Sequence, residues 1–205
     1  MTKAQWNRII RSAAEITKKA NILVVGSQSI LGWHPELEHT FIAISNELDV
    51  EPEKATQEEL DDINGLLGPE GAFALSNNGA YAEGVQTKGL VRLPKNWNKR
   101  LLRVESPDLI TPSNIQAVAW CIHPNDLVVS KIVALRDKDL RFCRDLIRSN
   151  IPELNKGAIL QGLENIEKLY PDKERHVEKA KTFIATEFSN KRQLRIRSPE
   201  ETRDI

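Results

Sequence analysis

Asn21-Ile22-Leu23-Val24-Val25-Gly26-Ser27 and, further along, Ser45-Asn46-Glu47-Leu48-Asp49-Val50-Glu51-Pro52 are the two stretches that decide how this chain reads. The first is a short apolar, β-branched run cut off by Gly-Ser, as in a buried strand that ends in a turn. The second alternates acidic and apolar residues, as in a strand with one buried face. Side chains two apart on a strand share a face, so Glu47 and Asp49 point the same way, with Cα atoms roughly 7 Å apart. Both carboxylates can then reach a small hard cation, Mg²⁺ or Mn²⁺, that leaves its other positions to water and phosphate. Gly26 lets the backbone come close to a phosphate, and Ser27 adds hydroxyl and N–H donors. Taken singly, the acidic pair also fits a solvated strand face, and Gly-Ser also fits a plain turn. Their order along the chain, strand, Gly-Ser, short helix, acidic strand, points to a site for a metal–nucleotide complex.

The 205 residues suffice for one domain, or for one domain with a smaller helical annex. At 40% hydrophobic and 28% charged, the composition is that of a globular protein, neither disordered nor membrane-spanning. Lys+Arg and Asp+Glu are both 29, so RNA would have to be met by a local basic patch rather than by overall charge. Candidate patches are Lys99, Arg100 and Arg103; Arg141, Arg144 and Arg148; and Lys191, Arg192, Arg195 and Arg197. Each also fits a solvated face. No apolar run approaches the roughly 20 residues of a membrane span, and Met1 to Trp6 lacks the apolar core of a signal peptide. Cys121 and Cys143 lie in apolar segments as buried thiols, and His34, His39, His123 and His176 are too scattered for zinc. The expected setting is cytoplasmic and reduced, away from membranes.

Helical spacing of Trp6, Ile9, Ile10, Ala13 and Ile16 predicts a helix over 2–19, capped by Thr2. Strands are predicted at 21–25, 47–50, 89–93, 100–105 and 115–122, with a further one at 72–75 and a turn at 94–98. A short helix at 27–31 ends at Gly32 and Pro35, while 41–45 is ambiguous. Thr56 and Glu59 form a capping box for an acidic helix over 56–67. From Pro124 the pattern turns helical, at 125–149, 153–169 and 172–189, broken at Pro152 and Pro171 and followed by a charged tail that frays. The expected fold class is α+β: a mixed β-sheet domain over 1–123, a C-terminal helical bundle over 124–190 and a tail over 191–205.

Within the 125–149 segment, Val128, Ile132, Leu135, Asp139, Phe142 and Leu146 recur at helical spacing. Asp139 thus stands where an apolar residue belongs, and a buried acid needs a partner or a task in a cleft. Lys131 lies eight residues earlier, about 12 Å along the axis of a continuous helix and about 80° around it. That helix, beside the acidic strand, would offer Lys131 to a triphosphate and Asp139 to a reacting hydroxyl. Equally, Asp139 can pair with Arg136 three residues before it while Lys131 stays on the surface.

These residues resemble the polymerase-β-like nucleotidyltransferase superfamily, whose hallmark is an apolar residue, Gly and Gly or Ser, a short helix, then two acids around an apolar residue. Here those are Val25-Gly26-Ser27 and Glu47-Leu48-Asp49. The chain is more closely similar to a bacterial family of nucleotidyltransferase-fold proteins, through 24–32, 45–52, 84–85, 93–97 and 123–139. A more distant similarity is to AbiEii/MenT-type toxins, which implies nucleotide transfer, to tRNA in some members, and a cognate antitoxin as partner. The resemblance implies phosphate contacts from Gly26 and Ser27 and a metal on Glu47 and Asp49. It implies Lys131 on the triphosphate and Asp139 as the base. The first acid is Glu rather than the usual Asp, and Gly26 to Glu47 is a wide spacing; the sequence does not identify a third metal carboxylate, Glu105 being only a guess.

The implied activity is Mg²⁺- or Mn²⁺-dependent transfer of a nucleotide from an NTP to a hydroxyl of RNA or protein. A sugar-nucleotide glycosyltransferase also uses an acidic-x-acidic metal site, but does not need Gly-Ser upstream. A nuclease of the D…E-x-K kind needs Lys two residues after the strand acid, and position 51 is Glu. A catalytically silent nucleotide- or partner-binding module of the same fold is the alternative.

Overall fold

A computed structural model describes residues 1–90, 92–149 and 151–197, with side chains described at all of these except 89, 90 and 193–197. It is α+β, with a mixed five-stranded sheet and helices that include a long C-terminal one. The chain divides into two compact units. The first comprises Met1–Val91 and Asn96–Leu127, the second Arg92–Lys95 and Val128–Ile205.

The sheet belongs to the first unit. Its strands are β1 (Asn21–Val25), β2 (Glu47–Pro52), β3 (Tyr81–Gly84), β4 (Leu102–Val104) and β5 (Val118–Cys121), ordered β3-β2-β1-β5-β4. β1 runs antiparallel to β2 and parallel to β5; β2 is parallel to β3, and β4 antiparallel to β5. Helix α1 (Lys3–Thr17) starts at a Thr2–Gln5 capping box and packs against β1 and β2. It buries Trp6, Ile9, Ile10 and Ala13 completely. Along β2 burial alternates: Leu48, Val50 and Pro52 are buried, while Glu47, Asp49 and Glu51 are half-buried on the other face. Burying Leu48 and Val50 fully is worth about 1.5–3 kcal/mol each, which pins the register and with it the face the acids occupy. Helix α2 (Gln57–Leu67) begins at the Thr56–Glu59 capping box and packs on β3 through Leu60 and Ile63.

Several local expectations are corrected. Residues 72–75 form no strand: Ala72–Ser76 is a short helix, α3, with only Ala74 buried. An apolar run of that length carries no period that separates strand from helix. The strand nearby is β3, Tyr-Ala-Glu-Gly, which lacks β-branched residues and takes its conformation from pairing with β2. Instead of a strand at 89–93, Thr87–Leu90 is a helical turn, α4, and Val91 lies outside the described residues. Thr87 donates from its backbone N–H (2.9 Å) and its hydroxyl to Glu51, which is how that third acid of β2 is satisfied. The 115–122 strand is shorter, with Gln116 held to Ile110 by an isolated bridge.

The single helix expected over 125–149 is two, α5 (Pro124–Ala134) and α6 (Asp137–Arg148). Leu135 turns the chain at φ 52°, and Arg136 takes the extended N-cap position of α6. Asp137 and Asp139 then sit in the first turn of α6, where the helix dipole favours acids. The second unit continues with α7 (Lys156–Leu169) and α8 (Glu174–Arg197), which pack together and bury Ile159, Leu163, Ile166, Val177, Ala180 and Ile184. α8 is helical through Arg197, so 190–197 continue the helix; 198–205 lie outside the described residues. Among the described residues, no helix is long and apolar enough to cross a membrane.

Candidate functional site

The register of three adjacent strands builds the site. Val25 of β1 lies opposite Asp49 of β2; Glu47 and Asp49 lie opposite Tyr81 and Glu83 of β3. Glu47, Asp49 and Glu83 each offer a carboxylate oxygen, and these oxygens lie within 4.8 Å of one another. The third acid is therefore Glu83, not Glu105. Glu105 follows β4 at the opposite edge of the sheet, where Arg103 pairs with it at 2.5 Å. A sequence reading passes over Glu83 because nothing in Tyr-Ala-Glu-Gly announces a strand beside β2.

Gly26 stands against this cluster. Its φ of 71° and ψ of −176° belong to a region essentially reserved for glycine. A Cβ at this position would meet Asp49 Oδ2 at 1.8 Å. Glycine is thus required twice, by the backbone and by the carboxylate packed on it. Ser27 opens the 3₁₀ helix Ser27–Gly32, half-buried. That turn is held by the Ser29 hydroxyl donating to Gly26 O (2.8 Å) and by Trp6 Nε1 donating to Gln28 O (3.1 Å). The entry to β2 is fixed as well: the Met1 ammonium donates to Ala43 O (2.6 Å) and Ser45 O (3.3 Å), and Glu47 N donates to Ser45 Oγ (3.2 Å).

Like charge accumulates here. Lost hydration, then Glu47, holds the Glu83 carboxyl above its ordinary value. Tyr81, whose hydroxyl donates to Glu47 Oε2 at 2.9 Å, is pushed up to about 12 by lost hydration first and that hydrogen bond second. All three donors are hard oxygens. A cation with ligand distances of about 2.1 Å places neighbouring oxygens about 3 Å apart and opposite ones about 4.2 Å, so small side-chain rotations close the set. The residues fit a small divalent ion.

Lys131 and Asp139 meet in the second unit. Asp139 is buried, with Oδ2 accepting from Arg136 Nε at 2.5 Å and Oδ1 4.0 Å from Lys131 Nζ. The turn at Leu135 brings the lysine and acid together, where a continuous helix would have held them about 12 Å apart. Of the candidate basic clusters, Arg144 and Arg148 are both engaged by the buried Glu187 of α8 (2.9 and 3.0 Å), and Arg100 by the buried Asp126 (2.8 Å). The Arg195 and Arg197 side chains lie outside the described residues. Cys121 and Cys143 are free and buried, and burial pushes the Cys121 thiol up to about 12.

Residues 4–189 match the family described as nucleotidyltransferase of unknown function (DUF6036). The chain belongs to that family. The match takes in Gly26, Ser27, Glu47, Asp49, Glu83, Lys131 and Asp139, and so draws on both units of this nucleotidyltransferase-family protein. No curated protein and no solved structure matches it.

Proposed function

We propose that the chain is a Mg²⁺- or Mn²⁺-dependent nucleotidyltransferase that moves a nucleotide from an NTP to a hydroxyl of an RNA or protein acceptor. One observation carries this reading: three carboxylates from neighbouring strands converge beside a glycine whose backbone conformation and lack of a Cβ leave room for them. Gathering three acids within reach of one another costs stability through like-charge repulsion, so their convergence speaks for a task. A divalent ion held by Glu47, Asp49 and Glu83 would neutralise triphosphate oxygens and the charge that grows during transfer. The chain's own residues do the rest. Gly26 and Ser27 present a close backbone and a hydroxyl to phosphate oxygens. Lys131 supplies a cation for the triphosphate, and Asp139 accepts the proton of the attacking hydroxyl as pyrophosphate leaves.

The toxin–antitoxin reading, with a cognate partner that silences the chain, belongs to the same proposal and rests on the similarity to AbiEii/MenT-type toxins. A second reading has one observation in its favour. Both Asp139 oxygens already face cations, Arg136 and Lys131, as suits an acid that holds side chains in place rather than moving protons. A catalytically silent nucleotide-binding module would look like this. Incubation with labelled NTPs, Mg²⁺ and total cellular RNA or protein separates the two. Label in one pool, absent with Asp49→Ala, supports the enzyme; nucleotide binding without label supports the silent module; neither result leaves the nucleotide reading without support.

A further inference from the structure

Glu47 is one of two glutamates in the cluster. A glutamate turns about three side-chain torsions where an aspartate turns about two, so the Glu47 carboxylate needs more to hold it in place than that of Asp49. The neighbour of Glu47 across the strands is Tyr81, directly opposite in the β2–β3 register. Tyr81 is anchored at its own backbone, where its N–H donates to Asn46 O at 2.8 Å. Its phenol is half-buried and donates to Glu47 Oε2 at 2.9 Å, a charge-assisted hydrogen bond at good length. Among the described residues, the hydrogen-bond partner of the phenol is that carboxylate.

We infer that Tyr81 is a positioning residue, whose phenol fixes the Glu47 carboxylate in the rotamer that completes the cation cluster with Asp49 and Glu83. The inference rests on the metal-site reading above and adds a residue to it. Groups that hydrogen-bond a metal's ligands orient them, and losing such a group commonly lowers metal affinity about 10–100-fold. An aspartate at position 47 would be one methylene shorter and would fall short of the phenol, so the dependence on Tyr81 is tied to the glutamate.

The test is a double-mutant cycle on the full chain with Mn²⁺ alone as probe, free ion being counted by electron paramagnetic resonance. Melting of the metal-free protein is followed alongside by circular dichroism. Tyr81→Phe is expected to weaken Mn²⁺ binding about 10-fold while the protein stays folded. In the Glu47→Asp background the same change is expected to alter affinity less than about two-fold. An equal loss in both backgrounds would show that Tyr81 acts without Glu47 and would overturn the inference. So would unchanged affinity in Tyr81→Phe alone, and this single comparison decides if Glu47→Asp binds too weakly to measure. Asp49→Ala tells the two failures apart. If it abolishes binding while Tyr81→Phe has no effect, the metal site stands and the positioning role falls. If neither change matters, the metal site and the positioning role fall together.

Discussion

Replacing Gly26 with alanine tests the site and the fold in one change. The backbone there has φ 71° and ψ −176°, where a residue with a Cβ is strained by about 1–3 kcal/mol. In a chain of this size each kcal/mol moves the melting temperature about 2–4 °C, so strain alone lowers it about 2–12 °C. The new methyl would also fall 1.8 Å from Asp49 Oδ2 and 2.9 Å from its Cγ, which no rotation of the methyl relieves. Asp49 must move, and Mn²⁺ affinity should fall with it. Gly65→Ala is the comparator: it sits inside α2 with nothing within 4 Å of a new Cβ, and should gain roughly 0.5–1 kcal/mol. Thermal melts and Mn²⁺ titration of both variants measure this. Combining Gly26→Ala with Asp49→Ala should recover the collision part of the loss and leave the strain part. A Gly26→Ala protein that melts and binds Mn²⁺ like the wild type would refute the close approach of Gly26 to Asp49, and the site with it.

Asp49→Ala should remove any Mn²⁺-dependent rise in melting temperature and any nucleotide transfer while the protein stays folded, because gathered like charges are a functional cost; unfolding would mark the acid as structural. Glu83 gives a pH dependence of definite sign. Its carboxyl is held above the ordinary value, so the folded state binds that proton more tightly. The Glu83 contribution to the stability of the metal-free protein should therefore be fully present below the ordinary carboxylate value of about 4.5 and be lost as pH rises through the raised one, a dependence that Glu83→Gln removes and Mn²⁺ opposes. Glu187→Ala, which strips the buried partner from Arg144 and Arg148, should lower the melting temperature by about 2–8 °C. That range corresponds to about 1–2 kcal/mol after allowing for the arginines' exposure to water. Lys131→Ala should weaken nucleotide binding in an equilibrium titration, and Asp139→Asn should lower turnover more than binding; equal small effects would place both residues outside the chemistry.

Local order decided what the sequence showed. Thr2 with Gln5 and Thr56 with Glu59 cap their helices through partners three residues away, so α1 and α2 read directly from the chain. β1 announces itself by β-branching, and β2 by alternation that puts Glu47 and Asp49 on one face whatever surrounds them. The glycine at 26 was legible for the same reason, as a residue that breaks an apolar strand. Tertiary pairing decided the rest. Tyr81–Gly84 becomes a strand because β2 offers it a ladder, and that pairing alone carries Glu83 and Tyr81 to Glu47 and Asp49 from more than thirty residues away. Leu135 leaves the helical region against its own periodicity, and the resulting break sets Lys131 beside Asp139. An apolar stripe reports which face is buried but says nothing about where the backbone turns. The two acids of the candidate site were therefore written in one strand, whereas their third partner, and the phenol that holds one of them, exist only once the sheet is assembled.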